Sequence, residues 1–396
     1  MDSWFAQVFA VTLLNLKSLP RRLSVSLVVV VGIAGVVAIA VAVLSIGEGF
    51  QKTMTAGRTD DTVVIFRAGT DTEMNSSLDR TEARILADAR EVRRDPEVGQ
   101  LASSELLVMI DLPKRSTGSG ANVPLRGVEP AAFAIRRNLR IVEGRRFVPG
   151  TRELIVGRGA QGAFANTEVG STVRLGLNDW KIVGAFTADG SVSESELWCD
   201  SKVLMPTYRR GTFQSVYARL GSAEDIPRFT ERLSKDPRLS IKVMPEGEYY
   251  AEQSQSLTTL VRILGGVVAV IMGLAAIFMA INSLYTAVST RTREIATLRA
   301  LGFQRGPVVI SVLAEALALA LLGGALGGLL AYLGFNGYQT STLNFQSFSQ
   351  VAFSFAVTPG LLVLGIVYAV GIGFLGAILP AWRAARLPIA TALREQ

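Results

Sequence analysis

The sequence predicts an α+β membrane protein, with four transmembrane helices arranged one plus three and a large external mixed α/β domain that contains an inserted β-rich subdomain. Four long apolar runs divide the 396 residues unevenly, one before a polar block at 50–256 and three after it; a run of about 20 apolar residues spans a bilayer. The polar block alternates strand-like and helix-like stretches. Lys and Arg gather beside the runs on one side only, as they do in cytoplasmic flanks.

Residues 1–22 read as an amphipathic helix in the cytoplasmic membrane interface, with Trp4, Phe5, Val8, Phe9, Leu13 and Leu16 at the headgroup boundary. The first span, 23–46, has no charge from Leu23 to Ile46, and its length and the residues before it distinguish it from a cleaved signal peptide despite Ala40 and Ala42. The second span covers 257–288, uncharged from Ile263. The third, 307–335, is interrupted only by Glu315 and carries Gly323, Gly324, Ala325, Gly327 and Gly328, small residues that let helices approach closely in lipid, so it belongs inside a bundle. A short uncharged external loop at 336–350 leads to the fourth span, 351–382, and a tail at 383–396.

Charge sets the orientation. Lys17, Arg21 and Arg22 precede the first span, Arg291, Arg293, Arg299 and Arg305 fill the link at 289–306, and Arg383, Arg386 and Arg394 follow the fourth. Both termini are therefore expected in the cytoplasm, with the large domain outside and the chain in a bacterial cytoplasmic (inner) membrane. The net charge of +7 is explained by these flanks without invoking nucleic acid.

In the external block, strands are expected at Thr62–Arg67, Leu106–Leu112, Glu153–Val156, Thr172–Leu177, Trp180–Phe186, Ser215–Leu220 and Ser240–Met244, with a hairpin turn at Asn178-Asp179. Helices are expected at Asp79–Arg94 and Asp225–Ser234, each followed by Asp-Pro. The two similar units give a mixed α/β part from about 50–139 and 211–256, with a β-rich part at 140–210 inserted. The acidic stretch DGSVSESE, Asp189–Glu196, reads as a solvated surface, with a binding site as the alternative.

The chain has no His and one cysteine, Cys199, so imidazole-dependent triads, His metal sites and an internal disulfide are excluded. No phosphate-binding G-x-x-x-x-G-K-[ST] loop occurs. The chain is therefore expected to be no enzyme, with no catalytic, cofactor or metal residues of its own. Glu315 lies roughly 12 Å along its helix from Pro307. A carboxylate there requires a partner, an Arg or a backbone group, or serves a conformational switch. Arg291–Gly302, RTREIATLRALG, places Ile295, Leu298 and Leu301 at helical spacing with Gly302 as the ending residue. Such a short amphipathic helix suits the membrane surface or a groove in a cytoplasmic partner.

The N-terminal LNLKSLPRRLSVSL leading to LSIGEGF, the link REIATLRALGFQR and the closing LPAWRAARLPIATALRE, together with ELIVGRG, VGSTVRLG and WKIVGAF, resemble permease subunits of the MacB/FtsX class of ABC transporters, the mechanotransmission (type VII) class. The resemblance covers essentially the whole chain. It implies a dimer with a second permease copy or a paralogue, bound to two copies of a cytoplasmic ABC ATPase that holds ATP and Mg. It also implies that Arg293, Glu294, Ile295, Leu298, Arg299, Leu301 and Gly302 form the ATPase-coupling element. Trp382, Arg383 and Arg386 are secondary candidates at the same membrane face, where they equally suit an interfacial anchor. Motion would pass through Gly47–Phe50 and Gln253–Leu257, and first-span Val and Ala residues would build much of the dimer interface. The leading expectation is export of a substrate from the periplasm or membrane, with a periplasmic adaptor and outer-membrane channel where the cell has two membranes. The alternatives are lipoprotein or lipid extraction, activation of an external hydrolase by ATP-driven signalling and, more distantly, a stand-alone channel or carrier.

Overall fold

A computed structural model describes residues 2–18, 23–344 and 349–386. Arg21, Arg22 and Arg394 fall outside them, as does the end of the closing motif. Two compact units result, one drawn from 1–48, 260–338 and 355–396, the other from 49–259 and 339–354.

The first unit is helical. Four helices are long and apolar enough to cross a membrane: Leu23–Thr55, Glu246–Ser289, Arg305–Phe335 and Pro359–Arg386. The third is the centre of the packing because its small residues form a stripe. A Cβ on Gly327 would lie 2.5 Å from the Ala34 carbonyl oxygen, and one on Gly324 2.8 Å from the Ala369 Cβ, so only glycine admits these approaches. Leu321, Leu322, Leu329 and Leu330 point outward from the other face. The glycine stripe draws in Ile33, Ala34, Val37 and Val41 of the first span, which are buried in the chain's own bundle. Leu27, Val28, Val31 and Ile39 remain exposed there.

Helix Asp2–Ser18 presents Phe5, Phe9 and Leu13 outward, while Val11 is buried and the Asn15 amide donates to the Ser311 hydroxyl at 2.9 Å. The Leu16 side chain lies outside the described residues. The first and second spanning helices are longer than their apolar runs, reaching Thr55 and starting at Glu246, because nothing in the flanking polar residues breaks the helix. The fourth begins at Pro359 instead of 351, since Ser349–Ser354 is a strand paired with Gln339–Asn344. Within the expected loop at 336–350, Gln339–Asn344 is thus one arm of a hairpin.

The second unit is built on a ten-stranded sheet. Its order is Ile241–Pro245, Thr62–Arg67, Ser215–Arg219, Ala102–Pro113, Gly120–Val128, Leu197–Asp200, Glu153–Gly157, Asn178–Thr187 and Arg140–Gly144, with Thr172–Leu175 also paired to Asn178–Thr187. The long strand Ala102–Pro113 joins two cores. Its first residues pair with Ser215–Arg219, in the sheet half packed under helices Arg80–Ala87 and Ile226–Ser234. The rest pair with Gly120–Val128 beside a core containing Trp180, Phe164 and Cys199. The sheet is therefore continuous across the expected boundary at 140, because Gly120–Val128 and Leu197–Asp200 pair in parallel across it.

Three local expectations change for physical reasons. The helix expected to reach Arg94 ends at Ala87, because the Arg93 amide donates to the Arg219 carbonyl and Arg94–Asp95 pairs with Gly99–Gln100. Asp95 then caps a turn, accepting from the amides of Glu97 and Val98, and does not end a helix. The hairpin turn falls at Gly176-Leu177, before Asn178-Asp179, since Gly176 supplies φ of +61° at the first central position. The acidic stretch is buried at Ser191, Ser193, Ser195 and Glu196. One Glu194 carboxylate oxygen accepts from the Thr187 hydroxyl and from the Ala188 and Gly190 amides.

Candidate coupling site

The link after the second span turns sharply and forms helix Thr292–Ala300. Its end is a Schellman motif: Gly302 takes φ of +97°, its amide donates to the Arg299 carbonyl at 3.1 Å, and the Phe303 amide donates to that of Leu298 at 3.2 Å. The inner face is fixed. Ile295 packs with Val288, Val308, Val312, Ala381 and Ala384, and one Arg299 guanidinium nitrogen donates to the Ala385 carbonyl at 2.8 Å. Arg291, just before the helix, donates to the Glu315 carboxylate at 2.8 Å, with both side chains buried. Glu315 thus has the arginine partner its position demands. Beside the pair is a cavity of about 30 Å3, also lined by Asn15 and Leu298, with room for about one water.

The outer face carries Arg293, Glu294, Leu301 and Gly302, all exposed, with Leu301 at 73%. The expected single apolar stripe is therefore divided. Ile295 faces inward, Leu298 is half-buried and Leu301 points away, because each three-residue step falls about 60° short of a full turn. Trp382, Arg383 and Arg386 are exposed on the last helix, where the Arg386 guanidinium lies 4.0 Å from the Trp382 ring centre and that of Arg383 5.4 Å from the Tyr285 ring centre. The sequence reading counted Arg291 only as a flanking charge. Its signal was a lone intramembrane carboxylate with cations in the adjacent link.

Of the charges at the centre of the second unit, sequence reasoning named Glu196 alone, and only as part of an acidic surface stretch. Arg126 is buried and donates to three carboxylates, Glu73 at 2.8 Å, Glu196 at 2.8 Å and Glu105 at 3.1 Å. Arg136 holds Glu105 through two hydrogen bonds of 2.7 and 2.9 Å and lies 4.1 Å from the Tyr217 ring centre. Burial alone would raise the Glu73 carboxyl, but the Arg126 guanidinium and the Ser215 hydroxyl outweigh it and hold the group below the usual carboxylate range. Burial opposes the charge on Arg126 too, yet Glu196 and Glu73 keep it firmly protonated. Among the described residues no cluster of His, Cys, Asp or Glu is arranged to hold a metal.

Of the segments expected to transmit motion, residues 49–50 and 253–257 also lie in this unit, and residues 47–48 in the first. Phe50 is fully buried and meets Phe353 edge to face at 5.7 Å, the Asn344 amide donates to Gln253 at 3.3 Å, and Arg58 forms an ion pair with Glu246.

Family models match most of the chain: the MacB-like periplasmic core domain over residues 26–236 and the FtsX-like permease C-terminal domain over 266–389. Among curated proteins, the chain is similar to macrolide export ATP-binding/permease proteins MacB. That of Chlorobium luteolum is 32% identical over 180 residues, covering 41% of this chain and 26% of the relative. That of Hahella chejuensis is 24% identical over 409 residues, covering 95% and 58%. The chain thus spans less than three-fifths of the length of these relatives. Among solved structures, the periplasmic region of MacB from Actinobacillus actinomycetemcomitans aligns with 15% identity and a TM-score of 0.38, covering 48% of this chain and 91% of that one. The extracellular domain of the noncanonic ABC-type transporter YknZ from Gram-positive bacteria aligns with 18% identity and a TM-score of 0.35, covering 46% and 99%.

Proposed function

Because the chain belongs to the MacB/FtsX class of ABC transporter permeases, we propose that it couples ATP hydrolysis on a separate cytoplasmic ATPase to motion of its external domain, for export of a substrate from the periplasm or membrane. The observation that carries this reading is helix Thr292–Ala300, gripped on its inner face by Ile295 and Arg299 while Arg293, Glu294 and Leu301 stand exposed. A rigidly seated short helix with an exposed mixed face suits a partner's groove, and force applied to it passes into the helices that hold it. In this reading two ATPase copies, carrying ATP and Mg, serve a dimer of permeases in the cytoplasmic membrane, with both termini inside. An adaptor and outer-membrane channel complete the path where a second membrane exists.

Mechanically, ATP binding biases the dimer between two arrangements by no more than its differential affinity for them. The helices Leu23–Thr55 and Glu246–Ser289 are unbroken through Gly47–Phe50 and Gln253–Leu257.

The test is purification of the tagged chain in mild detergent from its native membrane, alongside Leu301→Asp. The wild type is expected to bring an ABC ATPase with it, and the variant to lose the ATPase while inserting normally. Absence of an ATPase from the wild type, or its retention by the variant, would overturn the assignment.

A further inference from the structure

We propose that the unit built on the ten-stranded sheet carries a binding site for an amphipathic anion, a phosphate- or carboxylate-bearing molecule with an uncharged body. A cavity of about 680 Å3 lies between helix Arg158–Ala163, the turn at Gly190–Ser191 and the open end of the hairpin Gln339–Ser354. A second, of about 280 Å3, shares its wall at Arg115, Gly162, Ala163 and Ser341 and adds Lys114. The larger cavity alone is within the range of small-molecule sites.

Charge selects the ligand. Lys114, Arg115 and Arg158 line the two cavities. Arg115 is held in place by Glu168 and by the carbonyl oxygens of Gln161 and Phe164, whereas Arg158 donates only to the neutral Gln161 side chain and Lys114 makes no ion pair among the described residues. The carboxylate in the lining, Glu194, is committed to the Thr187, Ala188 and Gly190 donors. Ser191, also in the wall, is fully buried and its hydroxyl finds no hydrogen-bond partner. Ala163, Ala352 and Phe353 supply the apolar side for the body, and Gln339 and Thr340 supply hydrogen bonds. An anion held by two guanidinium or ammonium groups gains charge-assisted hydrogen bonds.

Position gives the site a role. The wall includes Thr53, Gln339 and Ser354. Thr53 belongs to the helix of the first span, Gln339 follows the third span's helix and Ser354 precedes that of the fourth. A ligand here rests on segments continuous with three spans, as an effector would. The inference stands independently of the ATPase reading.

The test uses the full chain in uncharged detergent and calorimetric titration with three probes: glycerol 3-phosphate, dihexanoyl phosphatidylglycerol and, as a neutral counterpart, dihexanoyl phosphatidylcholine. At least one anionic probe is expected to bind. Lys114→Gln/Arg158→Gln should weaken it about tenfold or more, and Gly162→Phe, placed where an added side chain meets nothing within 4 Å, should block it. Thermal melting of each variant confirms its fold. Binding of glycerol 3-phosphate identifies a free phosphate ligand, and binding of phosphatidylglycerol alone identifies a lipid headgroup; both uphold the site. No anionic binding, equal binding of phosphatidylcholine, or undiminished binding by both folded variants would overturn it.

Discussion

Arg291 and Glu315 form a buried ion pair of 2.8 Å between the link and the third span. Breaking such a pair strands a charge, whereas removing both partners does not. Glu315→Ala is expected to destabilise the chain by about 3 kcal/mol or more, and Arg291→Met/Glu315→Leu to recover most of that loss. Thermal unfolding in detergent reads both; additive losses in the double variant would show that the two residues act separately.

The third span predicts an asymmetric response to size. Gly327→Leu drives a side chain into the Ala34 backbone and should prevent normal packing, while Ala325→Leu, on the exposed face, should change stability by no more than about 0.5 kcal/mol. Size-exclusion profiles and melting curves of the two variants make the comparison, and equal behaviour would refute the stripe.

Glu73 makes the second unit acid-sensitive. Its folded carboxyl is held below the unfolded value, so its contribution is fully present above the unfolded pKa of about 4.3 and is lost as pH falls through the folded value. Removing the guanidinium in Arg126→Met leaves burial to raise Glu73, so the acid transition should move to higher pH. Tryptophan fluorescence between pH 7 and 3 follows it through Trp198, whose indole N–H donates to Glu196 at 2.7 Å. An unchanged midpoint would exclude the network as its cause.

Cys199 is fully buried in the sheet core, and burial, with Asp200 alongside, pushes its thiol well above the ordinary value. It should resist maleimide at pH 7 in the native chain and react on unfolding. Rapid native labelling, measured by mass spectrometry, would contradict the packing.

The spans and most strands were legible because apolar length and period two are local properties of the sequence. Thr62–Arg67 is an example, its expected and observed limits coinciding. Gly302 was legible for the same reason, as a helix end needs an αL residue nearby. What escaped depends on partners distant in sequence. Arg126 meets Glu73 and Glu196 across separations of 53 and 70 residues, and Arg93 surrenders its helix to the Arg219 carbonyl. Leu301 escaped for a geometric reason, since two three-residue steps carry it about 120° around the helix from Ile295.

Glu194 and Glu196 stand two residues apart and serve unrelated centres, one gathering the loop amides after Thr187 and the other facing Arg126. Chain length between them is therefore as tightly constrained as chemistry. A one-residue deletion at Ser195, in the 3-10 turn Val192–Ser195, would pull one of the two carboxylates out of its centre, so substitutions should be far better tolerated in this stretch than insertions or deletions.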